Sequence, residues 1–161
     1  MGEYLTTQEF TNGTDGELAF LKAGEVIPVW GSQKFKATRS STTTSRGQIG
    51  TRRKLNKITK QEYKITMTCD YWVVGLLTEW NQEFERTGKW PKIDLIATNE
   101  DKGTSQGRLS KQYLDLVPDG EITEQELDEA NEIGLTVDIT FKASGVKVLE
   151  NLKRPTNIGR E

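Results

Sequence analysis

The sequence predicts an α+β domain that is mainly β: a twisted antiparallel sheet with one packed α-helix. Three observations lead there. Two long segments, residues 63–69 and 134–143, alternate apolar and polar side chains with a period of two, the signature of half-buried strands. A single stretch carries apolar residues at helical spacing: Val73, Leu76, Leu77, Trp80 and Phe84. The chain has 161 residues and 18.2 kDa, no internal repeat and no linker, which suits one core. A folded monomer of that mass exposes about 8,000 Å². Hydrophobic residues make up only 34%, so the core should be thin.

Taken in order, residues 1–15 are polar and broken by Asn12-Gly13 and Asp15-Gly16, and read as a flexible arm. Asn12-Gly13-Thr14 fits a glycosylation sequon but reads as a turn, because no leader precedes it. Glu17-Leu18-Ala19-Phe20-Leu21 is a short strand, Lys22 to Glu25 a turn, and Val26-Ile27-Pro28-Val29-Trp30 the return. Pro28 has no N–H to donate, which places that return at a sheet edge. Residues 33–38 alternate again. Residues 40–54 then hold one apolar side chain, Ile49, and cannot offset their ordering entropy by burial; they are expected to be mobile in an isolated chain. With the strand that carries Tyr63, Ile65, Met67 and Cys69 on one face, this connection forms a hairpin with an extended tip at 40–60.

Asp70 reads as a helix N-cap and Gly88 as the stop of a helix of about 16 residues. The helix stripe is expected to pack on Ile65, Met67 and Val137. After Pro91, residues 92–98 form a strand, residues 99–103 a turn, and residues 107–117 another strand. Residues 119–132 fit a helical turn or an exposed strand. Leu135, Val137, Ile139, Phe141 and Ala143 mark the buried face of the last strand. Val146, Leu149 and Leu152 end as a short tail, and residues 153–161 form a flexible terminus.

Composition excludes much chemistry. There is no histidine, and Cys69 is the only cysteine, so histidine-based catalysis, four-cysteine metal sites and an internal disulfide are ruled out. No P-loop, dinucleotide fingerprint or nucleophile elbow occurs. No apolar run reaches the ~18 residues of a membrane span, and the N-terminus lacks a leader pattern; the expectation is a soluble, unsecreted protein made in the cytoplasm. The net charge of −2 conceals an asymmetry: residues 34–64 hold ten bases and one acid, Glu62, leaving −11 elsewhere. Residues 119–132 hold seven acids and no base.

Each block is weighed for function. Arg52-Arg53-Lys54 with Lys57 and Lys60 could neutralise phosphates, and Gly47-Gln48-Ile49-Gly50 has the spacing of a backbone-clamping loop, but no aromatic residue is there to stack a base. A partner-facing basic hairpin is the better reading. The acids lack the order and the glycine of a calcium loop and read as a solvated surface. Trp72, Trp80 and Trp90 could form a sugar platform, yet two lie on the helix and suit the core. No catalytic, cofactor-binding or metal site is assigned, and the residues describe a binding or assembly protein, not an enzyme.

The order of these elements resembles the tail tube proteins of contractile phage tails, of the PBSX-like prophage type. The resemblance runs from about Gly16 to Leu152: the Gly16-Glu17-Leu18-Ala19-Phe20 strand, the hairpin with its Ser/Thr/Gly/Arg tip, the strand at residues 63–68, the aromatic helix, Pro91-Lys92-Ile93-Asp94-Leu95, Gly107-Arg108, residues 113–117, and the acidic step into residues 135–141. This chain departs in a more polar tip and a longer acidic insert. The resemblance implies a β-sandwich or open barrel with one flanking helix over residues 16–152. It implies six subunits per ring, rings stacked into a tube inside a contractile sheath, and a lumen that passes DNA or a tube that punctures an envelope. Expected partners are further copies of the chain, sheath, baseplate and tail terminator proteins, and DNA in transit without specific recognition; the expected location is a virion tail or phage-like particle. The alternative is a sequence-tolerant nucleic-acid-binding module using the basic hairpin. Contacts between subunits are expected to join Arg46, Arg52, Arg53, Lys54, Lys57 and Lys60 to Glu124, Glu126, Asp128 and Glu129, with the hairpin disordered in the monomer and ordered in the tube.

Overall fold

The computed structural model describes residues 3–5, 16–156 and 158–160. Two antiparallel sheets enclose the core. The first is built from β2 (Gly16–Lys22), β3 (Glu25–Pro28), β6 (Ile93–Glu100), β7 (Arg108–Leu114) and β10 (Gly145–Glu150), in the order β10-β7-β6-β2-β3. The second is built from β4 (Lys34–Arg46), β5 (Leu55–Asp70), β8 (Val117–Pro118) and β9 (Thr136–Ala143), in the order β4-β5-β9-β8. A separate pair joins β1 (Glu3–Leu5) to β11 (Ile158–Arg160), so parts of the two terminal segments read as flexible are strands. Residues 6–15, including the sequon, lie outside the described residues.

Local chemistry explains most elements. Ala23 and Gly24 both take positive φ, 51° and 81°, which makes the two-residue turn that suits the right-handed twist of the β2–β3 hairpin. β3 is the edge strand that Pro28 demands. On β5, Ile65, Met67 and Cys69 are buried, and on β9 Val137, Ile139 and Phe141 are buried, as alternation requires. Directly across the ladder Met67 faces Ile139 and Ile65 faces Phe141, so one register buries both rows.

The helix α1 spans Val73–Thr87 and stops at Gly88, whose φ of 76° lets its N–H reach the Phe84 carbonyl. Asp70 is not its N-cap. It is still extended in β5, opposite Thr136, and its carboxylate accepts from the Tyr71 N–H at 2.9 Å, while Trp72 occupies the cap position without a side-chain bond. Val73, Leu77 and Trp80 are buried and Leu76 packs partly against the core. Phe84, placed in the same stripe, is 44% exposed, because it lies a turn beyond the sheet contact and meets Trp90 instead, with ring centres 6.4 Å apart. Trp80 sets its edge against Phe20 at 5.2 Å and 81°, and Phe20 meets Phe141 at 6.2 Å, so one aromatic chain links helix, first sheet and second sheet. An ion pair at 2.9 Å, Lys22 to Glu83, fastens the helix to β2.

Four further expectations change. The strand placed at residues 107–117 is two strands in different sheets, because Asp115 takes φ 52° and turns the chain; its N–H bonds the Asp94 carboxylate at 2.9 Å, and the Leu116 N–H bonds the Ile93 carbonyl at 2.8 Å. The turn placed at residues 99–103 begins later, since β6 runs to Glu100. Residues 145–150, read as a tail, form β10 and pair with β7, with Val146 opposite Tyr113. Residues 119–132 are neither helix nor strand. They form an irregular loop pinned by the Asp119 N–H on the Thr140 carbonyl, by the Tyr71 hydroxyl accepting from the Glu126 N–H at 2.9 Å, and by Ile122 packed on the core. Among the described residues no helix is long and apolar enough to cross a membrane.

Candidate functional site

The basic segment is a paired arm. β4 and β5 remain in register from Lys34 opposite Thr68 out to Arg46 opposite Leu55, whereas β9 covers β5 only from Tyr63 to Asp70. Residues 39–46 and 55–62 therefore form a two-stranded ribbon, about 26 Å long at ~3.3 Å per residue, exposed on both faces. The hairpin with an extended tip expected over this region is present: residues 40–46 belong to its first strand, and the turn is confined to residues 47–54. What low hydrophobicity could not reveal is the ladder itself. Cross-strand hydroxyl and amide contacts support it: Ser45 to Asn56 at 2.6 Å, and Thr44 to Thr59 at 3.3 Å.

A bulge sorts the charges. Thr42 faces Lys60 and Thr43 faces Ile58, leaving Thr59 as the extra residue, its hydroxyl on the Thr42 carbonyl at 3.3 Å. Residues three apart in a regular strand point to opposite faces. The bulge returns Lys60 to the face of Lys57, and Arg46 lies on that face too, opposite Leu55. The same face continues inward through Lys34, Lys36 and Lys64, on the side of the sheet away from Phe35 and Ile65. The sequence reading missed these last three, although strict alternation from Phe35 inward would have found them.

Arg52, Arg53 and Lys54 sit in the turn, where the Arg53 N–H bonds the Thr51 hydroxyl at 3.2 Å. Glu124, Glu126, Asp128 and Glu129 sit in the loop; Asp128 accepts from the Ala130 N–H at 3.0 Å. The ion pairs among the described residues join Lys22 to Glu83 and Arg108 to Glu100 and Glu150, so none joins the basic arm to the acidic loop within one chain. Neither block stands alone as charge. Ile49, Leu55 and Ile58 are exposed on the arm, and Leu127 and Ile133 on the loop.

The sheet edges carry apolar groups as well. Val26 lies on the β3 edge and Trp30 just beyond it, 69% exposed; Val148 and Leu149 lie on the β10 edge and Val117 on β8. An open groove of about 1140 Å³ crosses one end of the first sheet, bounded by Trp30, Phe35 and Leu149. A second cleft, of about 160 Å³, lies between α1 and the start of the acidic loop. No group of three or more metal-ligating side chains occurs among the described residues. Cys69 is buried, and burial pushes its thiol up to about 11, a structural rather than a reactive thiol. Burial also raises the Tyr113 phenol.

No family model and no curated protein matches the sequence. Solved structures do. A chain of the anti-feeding prophage tube-terminating cap is 13% identical, with a TM-score of 0.64 over 89% of this chain and 93% of that one. A chain of the sheath/tube terminator of an extracellular contractile injection system, in the extended state, is 13% identical, with a TM-score of 0.62 over 90% and 100%. A chain of the anti-feeding prophage baseplate is 10% identical, with a TM-score of 0.56 over 84% and 92%. At such identities the likeness speaks of fold, and it spans nearly the whole of each chain: this protein has the sandwich-and-helix fold of chains found in contractile phage-like particles, the fold expected of a phage tail tube-type protein.

Proposed function

We propose that the chain is a structural subunit of a phage or phage-like tail tube, assembling as hexameric rings that stack inside a contractile sheath and not acting as an enzyme. The observation that carries this is uncovered β surface: a two-stranded ribbon exposed on both faces, unpaired strand edges, and exposed Val26, Trp30 and Val148, features a monomer avoids. Heterologous contacts that close a ring remove sheet edges, and stacking extends the ring into a tube.

On this reading β3 and β10 are the ring-closing edges, and the basic arm reaches toward an adjacent ring, its cations facing Glu124, Glu126, Asp128 and Glu129 of another copy. Sheath, baseplate and terminator proteins are the remaining neighbours, the lumen passes DNA without specific recognition or the tube punctures an envelope, and the location is a virion tail or phage-like particle. Electron microscopy of the purified protein across concentration tests the proposal. Tubes, or six-fold rings that stack, are the expected result; single rings that never stack would mark a terminating ring instead. A second reading rests on the bulge-aligned basic face: a strict monomer that shifts DNA in a salt-sensitive way would replace the assembly reading with nucleic-acid binding.

A further inference from the structure

The hairpin tip and the smaller cleft are unpartnered features of the same chain. At the tip Ile49 is fully exposed within the turn formed by Gln48, Ile49 and Gly50, whose φ is 88°. Arg46, Arg52, Arg53 and Lys54 surround it in sequence. The result is an exposed apolar residue with cations on both sides of it in sequence, on the end of a long arm.

The cleft has the opposite character. Leu77, Trp90, Pro118 and Ile122 give it apolar walls, and Asn81 and Glu124 give it polar ones. Its volume of about 160 Å³ suits one branched aliphatic side chain with part of its backbone. Trp90 Nε1 is itself closed off from solvent and has no hydrogen-bond partner, so Trp90 offers the cleft an apolar wall. Glu124 is the cleft's charged lining residue, and the elements that form the cleft carry more acids than bases: Glu79, Glu83, Glu85 and Arg86 on α1, and Asp119, Glu121 and Glu126 on the loop, with Lys89 and Lys92 flanking Trp90 in sequence.

We propose that this cleft seats the hairpin tip of a second copy of the chain, with Ile49 between Leu77, Trp90 and Ile122. The tip cations face Glu124 and its acidic neighbours. The occupant is another copy because Ile49 of the same chain stands fully exposed. The two elements match in two independent respects: charge sign and apolar volume. The inference rests on the assembly reading and names the contact that would carry ring stacking.

Two measurements test it. Chains carrying Ile49→Cys and Asn81→Cys are mixed under mild oxidation and run on a non-reducing gel; the native Cys69 is buried and does not compete. The mixed disulfide should form at least ten-fold more than the homodimer of either variant alone. In parallel, Ile49→Asp should raise the critical concentration for tube assembly at least ten-fold with an unchanged far-UV spectrum, whereas Ile49→Leu should not. If the parent forms tubes but the mixed disulfide fails to form, or Ile49→Asp assembles at the parent's concentration, the cleft is not the seat and the assembly reading stands. A parent that remains monomeric at every concentration overturns both.

Discussion

Replacing Trp80 by alanine tests whether the helix is held to the sheets by one aromatic chain. Trp80 is 1% exposed and sets its edge on Phe20, itself fully buried and in contact with Phe141. A tryptophan removes ~150–250 Å² from water, which at ~25 cal/mol per Å² is about 4–6 kcal/mol of transfer free energy. Partial collapse of the site reduces this, and alanine is the better helix former, so the expected loss is about 3–5 kcal/mol. Domains have only ~5–15 kcal/mol in total, so the change is large. Urea titration followed by far-UV circular dichroism, below the concentration of assembly, measures it. Phe84→Ala is the control in the same helix: at 44% exposed, Phe84 should cost about 1–2 kcal/mol, clearly less than Trp80. A loss below about 1 kcal/mol for Trp80→Ala, or equal losses for both variants, would refute the packing argument.

Gly31 has φ 76°, and a Cβ there would lie 2.8 Å from the Asp70 Cβ, so Gly31→Ala should cost about 2 kcal/mol or more in the same titration. The Cys69 thiol, raised by burial to about 11 from 9.0, makes the folded state prefer the neutral form. Its contribution is therefore complete below pH 9 and is lost as the pH rises toward 11, by about 2–3 kcal/mol; stability measured against pH should lose that slope in Cys69→Ala. Replacing Arg52, Arg53 and Lys54 by serine should leave the subunit folded and weaken polymerisation, since exposed pairs of about 0–1 kcal/mol each are repeated at every junction; equal assembly across a range of salt would exclude the triplet from ring stacking. A reconstruction of the tube should show a channel wall without net positive charge, because gripped phosphates would slow DNA through counterion release.

The parts of the fold legible in the sequence are those where burial leaves a period. The rows Ile65, Met67, Cys69 and Val137, Ile139, Phe141 alternate because one face of each strand meets the core. Gly88 and Pro28 were legible because each has a single backbone role. What was illegible lacks such a signal. β10 has both Val148 and Leu149 exposed, so no clean alternation marks it. The break at Asp115 depends on a bond to Asp94 some twenty residues away, which no local pattern announces. Asp70 has the right chemistry for a cap but is held extended opposite Thr136. For the candidate site, the charge blocks were plain in the sequence, but not the cleft beside Trp90, which exists only because α1 packs next to the acidic loop.

The arm shows what composition alone does not reveal about this region. A ribbon with polar side chains on both faces gains nothing from the core, and a lone two-stranded hairpin is marginal in water. Its register is also weakly specified, because a one-residue slip moves no apolar row out of a core. Thr59 answers the second difficulty: its hydroxyl reaches both the Thr42 carbonyl and the Thr44 hydroxyl, fixing the bulge at one place. The same residue determines the chemistry of the surface. With Thr59 looped out, Arg46, Lys57 and Lys60 share a face; in a regular ladder Lys57 and Lys60 would diverge. Alignment of like charges costs the free chain electrostatic energy, and among the described residues none of these cations has an ion-pair partner to repay it. A feature that disfavours the isolated subunit and organises its charge outward makes physical sense where an anionic surface of another molecule receives it, and the acidic loop of a second copy is such a surface.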